Sequence, residues 1–147
     1  WKDGETHMAC QPQQTQLISS KGYIYETISK IDQMQKAATV QNLCEGCEGS
    51  LISAFYNTKP IIAYLSNGNP LTVNIPEQTT LTPTNVFRIE NIKNDAVILR
   101  LIDSSTETFT CTNYTIILSI DCICALQCLA PICCDICNSG CSQNTQC

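Results

Sequence analysis

Val86-Phe-Arg-Ile-Glu-Asn-Ile-Lys-Asn-Asp-Ala-Val-Ile-Leu-Arg-Leu-Ile102 reads as two strands, Val86–Ile92 and Ala96–Ile102, joined across Lys93-Asn-Asp95. Short runs rich in β-branched and aromatic residues, separated by turn formers, carry the signal of a β-hairpin. The second run is apolar at almost every position, so it is expected inside a sheet with neighbours on both sides.

Upstream, Ile61–Leu65 and Leu71–Ile75 flank Ser66-Asn67-Gly68-Asn69-Pro70. Asn-Gly supplies positive φ angles, which predicts another hairpin. Pro76 and Pro83 bracket a Thr-rich loop. Downstream, Asp103–Thr106 turns the chain, and Glu107–Thr112 and Tyr114–Asp121 are expected as two further strands. On the second of these, Ile116, Leu118, Ile120, Cys122 and Cys124 would share one face, because side chains on a strand alternate. Short strands in this number, with turns at close intervals, predict a mainly β fold: an antiparallel sandwich or jelly-roll-like domain.

One helix precedes the strands. Over residues 21–39, Ile24, Ile28, Ile31 and Met34 recur at helical spacing and form a packing stripe, and Glu26 and Lys30 make an i,i+4 pair. Residues 1–20 read as a flexible arm rich in Gln and Pro, carrying Cys10. Within it, Trp1–His7 is expected to be a cloning remnant or a processed segment, with the native chain beginning at Met8. The chain thus divides into an arm (1–20), a helix plus β-domain (21–130) and a Cys-rich tail (131–147).

The cysteines dominate the chemistry. There are twelve in 147 residues, eight of them between Cys122 and Cys147. That density implies disulfides or metal thiolates. A domain of this length buries a core without staples, so the expectation is that cysteines hold neighbouring subunits. Cys10, Cys141 and Cys147 sit at the reaching ends and are the candidates for intermolecular bonds. Cys122, Cys124 and Cys128 are expected to tie the strand end to the same subunit or its neighbour. Cys44, Cys47, Cys111, Cys133, Cys134 and Cys137 complete the disulfide candidates. Twelve cysteines allow on the order of ten thousand full pairings, so connectivity stays open. The competing reading is a structural zinc site, with Cys44-x2-Cys47 and Cys134-x2-Cys137 supplying four thiolates.

Other functions find little support. The lone histidine is His7, the carboxylates are scattered, and there is no phosphate-cradling loop, so no enzyme is expected and no cofactor is implied. A net charge of −5 with eight dispersed Lys and Arg residues argues against nucleic acid. No run reaches the length of a membrane helix. No signal peptide is visible, which points to synthesis in a cytosol, while the cysteine usage points to an oxidising compartment, so the residues leave the compartment open.

Asp121-Cys-Ile-Cys-Ala-Leu-Gln-Cys-Leu129 resembles the C-terminal signature of the spore coat protein Y/Z family, the cysteine-rich spore coat and exosporium proteins of endospore-forming bacteria. Cys122, Cys124, Ala125, Gln127, Cys128 and Leu129 match it, with Leu126 in place of Ile. Val86–Ile92, Ala96–Ile102, Thr58-Lys-Pro-Ile-Ile-Ala-Tyr64, Met8-Ala-Cys10 and Cys44-x2-Cys47 extend the likeness over most of the chain. The resemblance implies a structural protein made in the mother-cell cytoplasm and mature at the spore surface, in coat, exosporium or appendage. It implies self-association into a homo-oligomer, lattice or fibre, contact with other spore coat proteins, and locking by disulfides. Two departures stand out: the Cys-rich stretch Ile132–Cys147, and the missing cysteine before Val86.

Overall fold

The computed structural model describes residues 20–40, 56–77 and 79–135. Among these residues it is a mainly β, antiparallel fold with one α-helix. The elements are α1 (Ser20–Val40), β1 (Ile61–Tyr64), β2 (Val73–Pro76), β3 (Leu81–Thr84), β4 (Val86–Lys93), β5 (Ala96–Asp103), β6 (Thr110–Ser119) and β7 (Ala125–Cys128). A five-stranded sheet has the order β6-β5-β4-β1-β7, and β2 and β3 form a separate two-stranded ribbon.

The β4–β5 hairpin is the centre of this sheet. Lys93 pairs with Ala96, so the loop is Asn94-Asp95, and Asn94 adopts a φ of 56°. That left-handed conformation is one of the few an asparagine tolerates well. Phe87 pairs with Leu101 and Ile89 with Leu99, which puts these four side chains on one face. Ile61 and Ala63 of β1, Val97 of β5 and the partly buried Ile116 and Leu118 of β6 join them. Over this face lie α1, through Ile24, Ile28 and Ile31, and the ribbon, through Ile75. The result is a two-layer, sandwich-like core. β5 is interior, as its composition predicts, but its burial alternates along the strand and Ile98 is only half-buried.

The fourth position of the helical stripe differs from expectation. Met34 is exposed and Gln35 is buried in its place, at 4% exposure. A helix repeats at 3.6 residues per turn, so positions 24, 28, 31 and 35 face the core as well as 34 would. Polarity decides for Gln35, because the position faces open backbone. Its Nε2 donates to the Ile89 carbonyl at 2.6 Å, and its Oε1 accepts from the Lys59 amide at 2.9 Å. β1 and β4 share one Cα pair, Ile61 with Phe87. The Gln35 amide therefore spans the place where the two strands part. Gln35→Leu keeps the volume and removes both bonds. The expected cost is about 2 kcal/mol, read as a lower urea midpoint at unchanged slope. Among the described residues, the i,i+4 ion pair on this helix is Asp32–Lys36 at 2.8 Å, further along than the expected Glu26–Lys30.

Three strand expectations need correction. β1 and β2 do not form a full hairpin. The turn is present, with Gly68 N donating to Leu65 O and Gly68 at a φ of 85°, but pairing stops after the Tyr64–Pro70 bridge and the Leu71 N to Ala63 O bond. Pro70 has no N–H to continue a ladder, and β2 turns to pair with β3 instead, with Pro83 inside β3 rather than in a loop. Glu107–Thr112 and Tyr114–Asp121 are not two strands, because one strand, β6, runs unbroken from Thr110 to Ser119. The alternating face also ends there. Ser119 caps a 3-10 turn over Ile120–Cys122, its side chain accepting from Asp121 N, and Ile120 N donates to Asp95 O. The chain then crosses to the far edge of the sheet, where β7 pairs with β1. Cys122 and Cys124 therefore leave the face shared by Ile116 and Leu118.

No helix among the described residues is long and apolar enough to cross a membrane.

Candidate functional site

The opposite face of the sheet carries the candidate site. Register places Arg88 directly across from Arg100, and Val86 across from Ile102, on the side away from the core. Two cationic side chains opposed in a sheet repel each other unless a counter-charge lies between them. The β4 ladder slips between Ile89 and Asn91, which leaves Glu90 without a Cα partner on β5. A bulge of this kind re-aims a side chain. The Glu90 carboxylate sits between the guanidiniums: Arg88 Nη1 donates to its Oε2 at 2.9 Å and Arg100 Nε at 2.6 Å.

The network continues on both sides. Arg88 Nε donates to Thr58 Oγ1 at 2.8 Å, and Nη2 to the Asn57 carbonyl at 3.2 Å. Thr58 Oγ1 donates to Asn57 Oδ1 at 2.8 Å. Asn57 then clasps the backbone of one residue, Cys134, on both sides. Its Oδ1 accepts from Cys134 N at 2.8 Å and its Nδ2 donates to Cys134 O at 3.1 Å. The backbone reinforces this, since Thr58 and Ile132 exchange both N–H···O bonds, at 3.1 and 2.9 Å. On the other side, Arg100 Nη1 donates to Thr112 O at 2.9 Å, and Thr112 follows Cys111. A disulfide joins Cys111 to Cys134 across a Cα separation of 5.6 Å. The polar chain from Cys134 through Asn57, Thr58, Arg88, Glu90 and Arg100 to Thr112 is thus closed into a ring by a covalent bond. Asn57, Thr58, Arg88 and Cys134 are all buried.

Charge explains how the ring tolerates burial. Desolvation acts on Glu90 to raise its pKa. The hydrogen bond from Arg100 and the charges of Arg88 and Arg100 outweigh that and hold the carboxyl below its ordinary 4.5. A carboxyl with a depressed folded-state pKa stabilises the fold above its unfolded pKa. That contribution is lost as pH falls through the folded value, here below 4.5. The expected result is a melting temperature that drops as the pH is lowered below 4.5, with a shallower drop in Glu90→Gln.

The cysteines divide by environment. Cys111 and Cys134 pair with each other, and Cys124 and Cys133 are disulfide-bonded as well. Cys122 and Cys128 are free and exposed. Cys122 ends the 3-10 turn on the crossover from β6, and Cys128 ends β7, the strand at the far margin of the sheet, opposite Ile61. Lys21 at the start of α1 anchors the crossover by hydrogen-bonding the Asp121 carbonyl. Cys10, Cys44, Cys47, Cys137, Cys141 and Cys147 lie outside the described residues. So do the arm up to residue 19 and the tail from residue 136, whereas 131–135 pack against the sheet through Ile132 and Cys134.

Two consequences follow for the metal alternative. Cys134 is committed to Cys111, and a disulfide sulfur carries no thiolate for zinc. The set Cys44, Cys47, Cys134 and Cys137 is therefore incomplete in this oxidised fold. Among the described residues, no three His, Cys, Asp or Glu side chains converge on a metal position.

No family model, curated protein or solved structure matches this chain.

The arginine ring was not singled out from sequence, although its signal is present. Arg88 and Glu90 alternate with apolar residues in one strand, and Arg100 interrupts the apolar run of the next. Counting back from the Asn94-Asp95 turn opposes residues 88 and 101; only the register shift between Ile89 and Asn91, which no local pattern marks, brings Arg88 opposite Arg100. Nothing local marks Asn57, whose partner lies 77 residues away.

Proposed function

We propose that this protein is a self-assembling structural protein of a bacterial endospore's outer layer, in coat, exosporium or appendage fibre, with its subunits locked by intermolecular disulfides. The observation that carries the reading is the segment Asp121–Leu129. It resembles the spore coat protein Y/Z signature, and it presents Cys122 on the crossover and Cys128 on the sheet margin as free, exposed thiols. Exposed thiols at an edge can meet another chain with little rearrangement, whereas the buried Cys134 is already satisfied within its own. Cys10, Cys141 and Cys147, near the two ends of the sequence, provide further reach. A protein made reduced in the mother cell is oxidised later, once that cell lyses. Geometry selects the contacts between copies, and covalent bonds then add kinetic stability.

The test is a boiled detergent gel of alkylated protein, with and without reductant, beside a zinc assay. A high-mass ladder that collapses to a 16.2 kDa band on reduction supports the assignment. A lone monomer band without reductant, with stoichiometric zinc, replaces it with the metal module.

A further inference from the structure

Cys133 and Cys134 are adjacent, yet Cys111 is bonded to Cys134. We infer that the relay Arg88–Thr58–Asn57 selects Cys134 over Cys133 as the partner of Cys111, and that it holds this choice before any oxidation takes place. These are positioning residues for a thiol reaction. The inference concerns pairing within one chain and does not depend on the spore-layer reading.

The selection lies in backbone bonds rather than in sulfur. Successive side chains of an extended segment point to opposite sides. Whichever of the two cysteines has its peptide fixed against the sheet therefore determines which sulfur faces Cys111. Asn57 fixes the peptide groups of Cys134, with its N–H at 2.8 Å and its C=O at 3.1 Å. An asparagine amide can turn over and exchange O for N. Here Thr58 Oγ1 donates to Asn57 Oδ1, which identifies that atom as oxygen and leaves Nδ2 to donate to Cys134 O. The Thr58 hydroxyl is itself oriented, because Arg88 Nε donates to it and its hydrogen must then point to Asn57. Arg88 is held by Glu90. At the other end, Arg100 holds the Thr112 carbonyl beside Cys111. None of these bonds involves a sulfur atom, so all of them can exist in the reduced chain.

Access then orders the chemistry. Cys111 is half-buried and Cys134 is 1% exposed. A small disulfide oxidant reaches Cys111 first. The Cys111 thiolate attacks it, forming a mixed disulfide and releasing one small thiol. The Cys134 thiolate then attacks the Cys111 sulfur, forming the protein disulfide and releasing the second small thiol. Two protein thiols lose two protons and two electrons, and one small disulfide becomes two thiols. A positioned nucleophile outruns a merely tethered one by orders of magnitude.

The experiment oxidises the fully reduced chain with oxidised glutathione, quenches with acid, and resolves Cys111–Cys134 from Cys111–Cys133 by tandem mass spectrometry. In the parent, the early Cys111 product is expected to favour Cys134 at least about tenfold. Thr58→Val keeps the shape and removes the relay hydroxyl, and Asn57→Ala removes the clasp. Both are expected to move the ratio toward parity and to accumulate the Cys111 glutathione adduct, and Thr58→Ser is expected to restore the parent ratio. Amide exchange on the reduced parent provides a measurement that needs no variant, with Cys134 N–H expected to be protected. A freely exchanging Cys134 amide in the reduced chain overturns the inference. So does an unchanged Cys134 to Cys133 ratio in Thr58→Val.

Discussion

Glu90→Gln is expected to destabilise the fold by about 3–5 kcal/mol, the range found when one member of a buried ion pair is removed. The substitution keeps the size and the bulge. It leaves Arg88 and Arg100 opposed across the β4–β5 ladder with no anion between them. Arg88 is 5% exposed, so water does not replace the lost counter-charge at that guanidinium. For a domain of this size, the loss corresponds to a fall of roughly 10 °C or more in melting temperature. The informative comparison is the triple variant Arg88→Met, Glu90→Leu, Arg100→Met. Replacing a whole buried ionic set with apolar residues of similar volume is often neutral for stability. The triple variant is therefore expected to recover most of the loss. It removes the Arg88 end of the relay to Asn57, so correct pairing of Cys111 with Cys134 is not expected to return with stability. A Glu90→Gln protein that melts with the parent would show that solvent, not Glu90, screens the two arginines.

How much of this was legible from residues depends on the range of the interaction. The β4–β5 hairpin was, because its turn and both strands lie within one short window, although the joint read as Lys93-Asn-Asp95 shortens to Asn94-Asp95 once Lys93 pairs with Ala96. The helix was, because three isoleucines repeat with its period. At the fourth position the pattern offered Met34, and apolarity was the wrong criterion: Gln35 is buried because Ile89 and Lys59 present unpaired backbone groups there. The β1–β2 turn was legible and the strand pairing beyond it was not. The Gly68 turn is local, but the fate of the strand after Pro70 is decided by β3. The end of β6 at Ser119 turns on Asp95, a residue in another hairpin's loop. The disulfide was the least legible feature. Cys111 and Cys134 are 23 residues apart, and Cys133 differs from Cys134 by one step; the bonds that hold the Cys134 backbone come from Asn57, 77 residues away, and beside them Ile132 pairs with Thr58. The terminal cysteines were singled out for their reach, whereas Cys122 and Cys128 owe their availability to a crossover that no local pattern marks.

On the spore-layer reading, removing the thiols that the described residues leave open is expected to weaken the covalent locking of the assembly in steps. Cys122→Ser with Cys128→Ser takes away the free thiols of the crossover and the β7 margin while leaving Cys111–Cys134 and the core untouched. Exposed cysteines that pack against nothing cost little to replace, so monomer stability is expected to stay within about 0.5 kcal/mol. The reductant-sensitive ladder, however, is expected to shorten, because the margin no longer joins chains. Adding Cys10→Ser and Cys147→Ser removes the reaching ends as well. Assemblies of the fourfold variant are then expected to dissolve in hot detergent without reductant, leaving the 16.2 kDa band. The two steps separate the two sets of cross-links. A margin variant whose ladder matches the parent places the bonds at the ends alone. A fourfold variant that stays as resistant as the parent removes all four cysteines from the interchain role. Assembly itself is expected to survive in both variants, visible as ordered particles before detergent is added. On that reading, non-covalent geometry brings the copies together, and oxidation only prevents their release.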